Sequence, residues 1–160
     1  RKPKRSLPLR ETRMLMIENA RGELLLYKRP PAGIWGGLWS LPEQQQMTQP
    51  LQALLGAHSE GHVEWPVLRH SFTHFHLDIT AVQHTLAPPA GKTNTTAAAI
   101  MEAPDWLWYN VDHPADIGLP APVSKLLAQF ALQRKAIDSS AANQSQQLPA
   151  TRFSSEELST

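Results

Sequence analysis

The apolar positions of this chain fall into short runs separated by turn-forming residues, and each run predicts an element. Thr12 to Glu18 (TRMLMIE) and Glu23 to Arg29 (ELLLYKR) read as two strands. They are joined by Asn19-Ala20-Arg21-Gly22, a connection with the length and composition of a β-hairpin turn, and Pro30-Pro31 ends the second. From Phe75 to Val82 a strand would put Phe75, Leu77, Ile79 and Ala81 on one face and His76, Asp78 and Thr80 on the other. Pro66 to Phe72 predicts a further extended piece, which leaves Thr73 and His74 at the bend between the two.

Helical spacing marks two other stretches. Met47 to Leu55 carries Leu51, Leu54 and Leu55 on one side, with Pro50 in its first turn and Gly56 as its stop. A longer helix runs from about Ala121 to Arg134 with Val123, Leu126, Leu127 and Phe130 as its apolar stripe, which reads as core. Asp105 to Asn110 (DWLWYN) is a short, extended aromatic segment, and Pro88 to Ala99 a surface loop. The order predicts an α+β domain, a mixed sheet with helices packed on it. Residues 1–10 read as a basic interdomain linker, 11–136 as the folded domain, and 137–160, poor in apolar residues, as a disordered tail.

Composition narrows the function classes. The 160 residues suit one domain with a real core, and a net charge of +1 gives no overall pull toward nucleic acid or membrane. Five of the fifteen basic residues, however, lie in the first ten positions: Arg1, Lys2, Lys4, Arg5 and Arg10. The opening RKPKRSLP, without methionine, reads as a piece of a longer protein that follows a preceding domain. The sequence has no membrane-length apolar stretch and no signal-peptide pattern. Zero cysteine excludes a disulfide scaffold, a thiolate metal site and cysteine catalysis within these residues, and the expectation is an intracellular protein.

The most loaded stretch is Leu68 to Ile79, LRHSFTHFHLDI, where three histidines, an arginine, two hydroxyls and an aspartate interleave with the apolar set. A solvated or internally bonded sheet face is the plain reading of such a strand. A zinc reading of His70, His74 and His76 lacks a further ligand and second-shell support. Ser71, His74 and Asp78 have no nucleophile elbow around them, and Gly33, Gly36 and Gly37 fit neither a P-loop nor a dinucleotide fingerprint. Trp35, Leu38 and Trp39 in the same loop read as packing residues, with Lys28 and Arg29 just before them within reach of phosphates.

The overall pattern resembles the Nudix fold, an α/β/α sandwich built on a mixed sheet. Nudix hydrolases hold magnesium with a run of glutamates on a helix after a Gly-rich loop, because a hard ion on pyrophosphate needs several carboxylate oxygens. Here Gln44 to Ser59 contains no acidic residue, and Glu43 stands alone before it. KRPPAGIWGGLWSLPE (Lys28 to Glu43), LRHSFTHFHLDI, LWYN (Leu107 to Asn110) and GLPAPVSKLL (Gly118 to Leu127) together resemble the C-terminal domain of the bacterial adenine DNA glycosylase MutY. The resemblance spans about Leu7 to Arg134.

That resemblance implies a noncatalytic domain helping to recognise 8-oxoguanine paired with adenine in double-stranded DNA. Excision of the adenine would fall to an N-terminal catalytic domain of the same chain. The family's Phe-Ser-His loop falls on Phe72, Thr73 and His74, with threonine in place of serine. Arg69, His70, Lys28 and Arg29 are further candidates for backbone contact, and no catalytic or metal-binding residue is expected here. The family's iron–sulfur cluster (4Fe-4S) belongs to the N-terminal domain. A monomeric, cytoplasmic, nucleoid-associated protein in base excision repair is implied. The alternatives are an active Nudix pyrophosphohydrolase and a protein-interaction module using the 137–160 tail.

The chemistry suits such a loop. Guanine N7 accepts a hydrogen bond, whereas 8-oxoguanine carries a hydrogen there and an oxygen on C8, so a reader must accept at N7 and can donate to O8. The Thr73 hydroxyl can do either, and neighbouring backbone groups can supply the other half.

Overall fold

In the computed structural model, residues 6–46, 49–87 and 105–147 are described. Strands β1 (Leu9–Glu18), β2 (Leu24–Lys28), β3 (Trp39–Ser40), β4 (Ser59–Glu64), β5 (Leu68–Ser71), β6 (His76–Leu86) and β7 (Trp106–Tyr109) form one mixed sheet. Helix α1 (Gln49–His58) follows a 3-10 turn at Gln44–Gln46, and helix α2 spans Ala121–Gln147.

The sheet is organised on its two longest strands. β1 pairs in parallel with β6 over its whole length, Leu9 opposite His76 through Glu18 opposite Thr85. β5 and then β4 pair antiparallel along the other edge of β6. On the far side β1 meets β2, which carries β3 and β7.

Both faces are covered, because β1 and β6 alternate apolar residues to two cores. Met14, Met16, Leu77, Ile79 and Ala81 pack with Val123, Leu126, Leu127 and Phe130 of α2. Leu15, Ile17, Val82 and Leu86 pack with Leu51 and Leu55 of α1. The expected helix–sheet–helix arrangement is therefore present, with the predicted α2 stripe as its larger core contact.

The β1–β2 connection closes as the sequence predicts. Asn19 Oδ1 accepts hydrogen bonds from the amides of Arg21 and Glu23, and Gly22 takes φ +78°. A side chain at Gly22 would also run into the guanidinium of Arg134, which donates to the Gly22 carbonyl and ties α2 to the hairpin.

Three boundaries differ from expectation. Leu9 and Arg10 belong to β1, not to a linker, because the parallel ladder to β6 captures them and the Pro8 carbonyl accepts from His76 N. Helix α2 continues past 136 to Gln147, so residues 137–147 are helical, not a disordered tail. This extension, IDSSAANQSQQ, continues the helix beyond the apolar stripe of 123–130, and its residues 137–141 are exposed. Helix α1 runs through Gly56 to His58. The predicted loop at Pro88 to Ala99, the cluster at 1–5 and residues 148–160 lie outside the described residues.

Candidate nucleic-acid interface

The β5–β6 hairpin turns on four residues. Phe72 N donates to the Phe75 carbonyl, which leaves Thr73 and His74 exposed at the tip. Just below, Ser71 and His76 face each other across the strands with Oγ and Nδ1 2.7 Å apart. The three predicted residues are thus split by the turn: the Thr73 and His74 side chains point to solvent, and Phe72 is half-buried.

Phe72 is the centre of an aromatic cluster beneath the tip. It stacks on Phe75 at 4.5 Å between centroids, meets His70 edge-on at 4.7 Å and lies 5.4 Å from Trp35. Phe72 therefore packs. It supports the turn and is not presented as a wedge. His70 is held against Trp35 and Phe72 by the same contacts.

Trp35 arrives from the Gly/Trp loop with φ +56°, the left-handed region that a large side chain rarely adopts. What holds it is Arg29. The guanidinium lies 5.5 Å above the Trp35 ring, donates from Nε to the Ile34 carbonyl at 3.1 Å, and pairs through Nη1 with Glu43 Oε1 at 2.8 Å. Nη1 also reaches the Tyr27 hydroxyl. Glu43 in turn accepts from Thr12 Oγ1 at 3.0 Å. Gly36 completes the loop, since a Cβ there would collide with the Pro31 carbonyl.

The basic candidates divide by what they already hold. Arg29, with a side chain only 10 % exposed and a carboxylate partner, is a brace of the loop and not a phosphate ligand. Arg69 forms a two-point pair with Asp78, Nε to Oδ1 at 2.7 Å and Nη2 to Oδ2 at 3.1 Å. That hydrogen bond holds the Asp78 carboxyl below its ordinary range and raises the guanidinium. Arg69 is therefore a sheet-surface ion pair across β5 and β6. Lys28, at the end of β2, is exposed.

Sequence reasoning missed the contribution of Arg10, whose guanidinium sits 4.3 Å above the Phe75 ring. Its place in a basic run hid a strand position; the alternation of Arg10, Thr12, Met14 and Met16 on one face of β1 is the signal that could have revealed it.

A magnesium centre of the kind Nudix hydrolases use does not fit these residues. Helix α1 has no carboxylate, and Glu43 is turned to Thr12 and Arg29. Among the described residues no three His, Asp or Glu side chains are grouped to hold a metal ion. A groove of about 570 Å³ opens along β1 and β6, lined by Glu11, Arg13, Gln44, Asp78 and Thr80 among others. Two of the charges that line it are paired, Arg13 with Glu64 and Asp78 with Arg69, and Arg13 also donates to Gln44.

Comparison with known proteins agrees with this architecture. The C-terminal domain of mouse MUTYH, solved in complex with human PCNA, superposes with TM-score 0.51 at 16 % identity, covering 79 % of this chain and 89 % of that one. The E. coli ORF135 protein gives TM-score 0.51 at 21 % identity, covering 84 % and 97 %. The MutT protein of Methanosarcina mazei Go1 gives 0.49 at 15 %, covering 82 % and 99 %. At such identities the likenesses to the MUTYH domain and to ORF135 speak for the fold alone. Residues 13–129 match the family described as NUDIX domain, a span from the middle of β1 into α2 that takes in both cores except Phe130 and Ala131 at the end of the larger one. The mixed sheet, the helix on each face and this match lead to one conclusion: the chain belongs to the Nudix domain family.

Proposed function

We propose that this domain reads 8-oxoguanine opposite adenine in duplex DNA, serving an adenine DNA glycosylase whose N-terminal domain, with its iron–sulfur cluster, excises the adenine. The observation that carries the reading is the hairpin tip. Thr73 offers a hydroxyl and His74 an imidazole to solvent, on a turn stiffened from below by Phe72, Phe75, His70 and Trp35. A recognition group needs that combination of exposure and fixed support. The acid-free α1 weighs against the hydrolase reading.

The test is a comparison, at fixed salt, of duplexes carrying A opposite 8-oxoguanine and A opposite G, with the full-length protein and its Thr73→Ala variant. A misfit at the tip strands a buried polar group, so the variant should lose about 1–3 kcal/mol of preference, roughly 5- to 150-fold, with undamaged DNA bound as before. Preference unchanged in the variant would remove Thr73 from the reading. Magnesium-dependent turnover of 8-oxo-dGTP would favour a hydrolase instead.

A further inference from the structure

The described residues include six arginines, and four of them are neutralised by carboxylates: Arg13 by Glu64, Arg29 by Glu43, Arg69 by Asp78 and Arg134 by Asp112. Arg10 and Arg21 have no carboxylate partner among the described residues. Arg21 lies in the β1–β2 turn. Arg10 is at the other end of β1, about 26 Å away at a strand rise of about 3.3 Å per residue, and directly beside the hairpin tip.

Its position is fixed twice. The backbone of Arg10 is held in the parallel ladder opposite Leu77, two residues past the turn. Its guanidinium carbon lies 4.3 Å from the centre of the Phe75 ring, which stacks on Phe72, so cation and reading hairpin form one column. A ring face attracts the cation without consuming its N–H donors, and Arg10 is exposed with no carboxylate partner among the described residues. That is the state a phosphate-binding arginine needs before DNA arrives: ordered, yet with its donors uncommitted.

We infer that Arg10 is a DNA-backbone contact, a phosphate ligand that sets the register of the duplex against the Thr73-His74 tip. The inference rests on the reading of the hairpin as a DNA-facing element. A phosphate contact positions and carries no base information, so Arg10 should govern affinity and its salt dependence while Thr73 governs lesion preference.

The experiment measures the salt dependence of duplex binding by the full-length protein, its Arg10→Gln and Arg10→Lys variants, and Arg21→Gln as a control for charge loss elsewhere. Losing one phosphate contact reduces the slope of log K against log salt by about 0.9. Between 50 and 200 mM salt, the wild type should therefore lose about 3.5-fold more affinity than Arg10→Gln. Arg10→Lys should keep the wild-type slope, and the ratio of 8-oxoguanine to guanine binding should stay unchanged in all three variants. Arg21→Gln should behave as wild type. An Arg10→Gln slope equal to wild type, or an equal reduction in Arg21→Gln, overturns the assignment of Arg10 while leaving the hairpin reading intact. A wild-type protein whose duplex binding shows no lesion preference and no salt dependence overturns both. A structural role for Arg10 alone would lower thermal stability without moving the slope.

Discussion

Glu43 is the residue whose substitution separates the two uses of this fold. In a metal-dependent hydrolase a carboxylate beside α1 would serve the ion, and replacing it would cost activity with little cost in stability. Here its oxygens hold Thr12 and Arg29, and through Arg29 the left-handed Trp35. Glu43→Gln keeps the shape and one acceptor but removes the charge. The Arg29 guanidinium then keeps two neutral acceptors, Tyr27 Oη and the Ile34 carbonyl, with side chains only 10 % and 14 % exposed in the pair.

Stripping a partner from a buried pair costs about 3–5 kcal/mol, and a hydrogen bond to a charged group is worth about 1.5–3 kcal/mol. With those two acceptors and the aromatic faces left to Arg29, the expected loss for Glu43→Gln is about 2 kcal/mol. That corresponds to roughly 6–10 °C in Tm for a domain of this size. Arg29→Met, which leaves the carboxylate with only Thr12, should cost more, about 3–4 kcal/mol. The double variant should cost less than the sum by about 1–2 kcal/mol, because neither charge is left alone. Urea denaturation followed by tryptophan fluorescence measures all three. A loss below about 0.5 kcal/mol for Glu43→Gln, with additive single variants, would refute the brace.

Two further outcomes rest on Gly36 and His84. Gly36→Ala should destabilise by about 1–3 kcal/mol in the same denaturation assay, because the new Cβ meets the Pro31 backbone and the loop must shift; wild-type stability would show that the loop adapts freely. His84 titrates below its ordinary 6.5, through burial and then the charge of His62 opposite it on β4. Since its folded value is depressed, the unfolded chain binds the proton first on acidification. Stability is then complete above about 6.5 and is lost as pH falls through the lower folded value. Tm measured from pH 7.5 downward should fall less steeply in His84→Gln than in wild type, and equal slopes would discard this contribution.

The elements that were legible in the sequence are those whose signals are local. Asn19 to Gly22 announces a hairpin by turn chemistry, Leu77-Ile79-Ala81 a half-buried strand by period two, and Val123 to Phe130 a helix by its stripe. What was not legible depends on distant partners. β4 (SEGHVE) has Val63 as its one large apolar residue, and that residue is exposed, so no buried face marks the strand and it is the edge of β6 that it pairs with. The parallel register of β1 on β6 joins residues 67 apart, and no window of sequence contains it. Helix α2 extends past its core contact as a continuation of a helix already nucleated and packed at 123–130, where a lack of apolar residues suggested disorder.

The same distinction decides the site. Residue type told which side chains could meet a nucleic acid: arginines, a lysine, histidines and a hydroxyl. Availability is a property of the partner, and the partners are remote: Glu43 is fourteen residues from Arg29, and Asp78 nine from Arg69. Two arginines that looked like phosphate ligands are thereby committed to carboxylates. Arg10, which looked like one more charge in a basic run, is held over an aromatic ring with its charge intact. An arginine on an aromatic face is oriented without being neutralised, whereas one on a carboxylate is oriented at the expense of its charge. Substituting Phe75 by leucine should therefore act on DNA binding through Arg10, leaving the charge in place but the guanidinium unanchored.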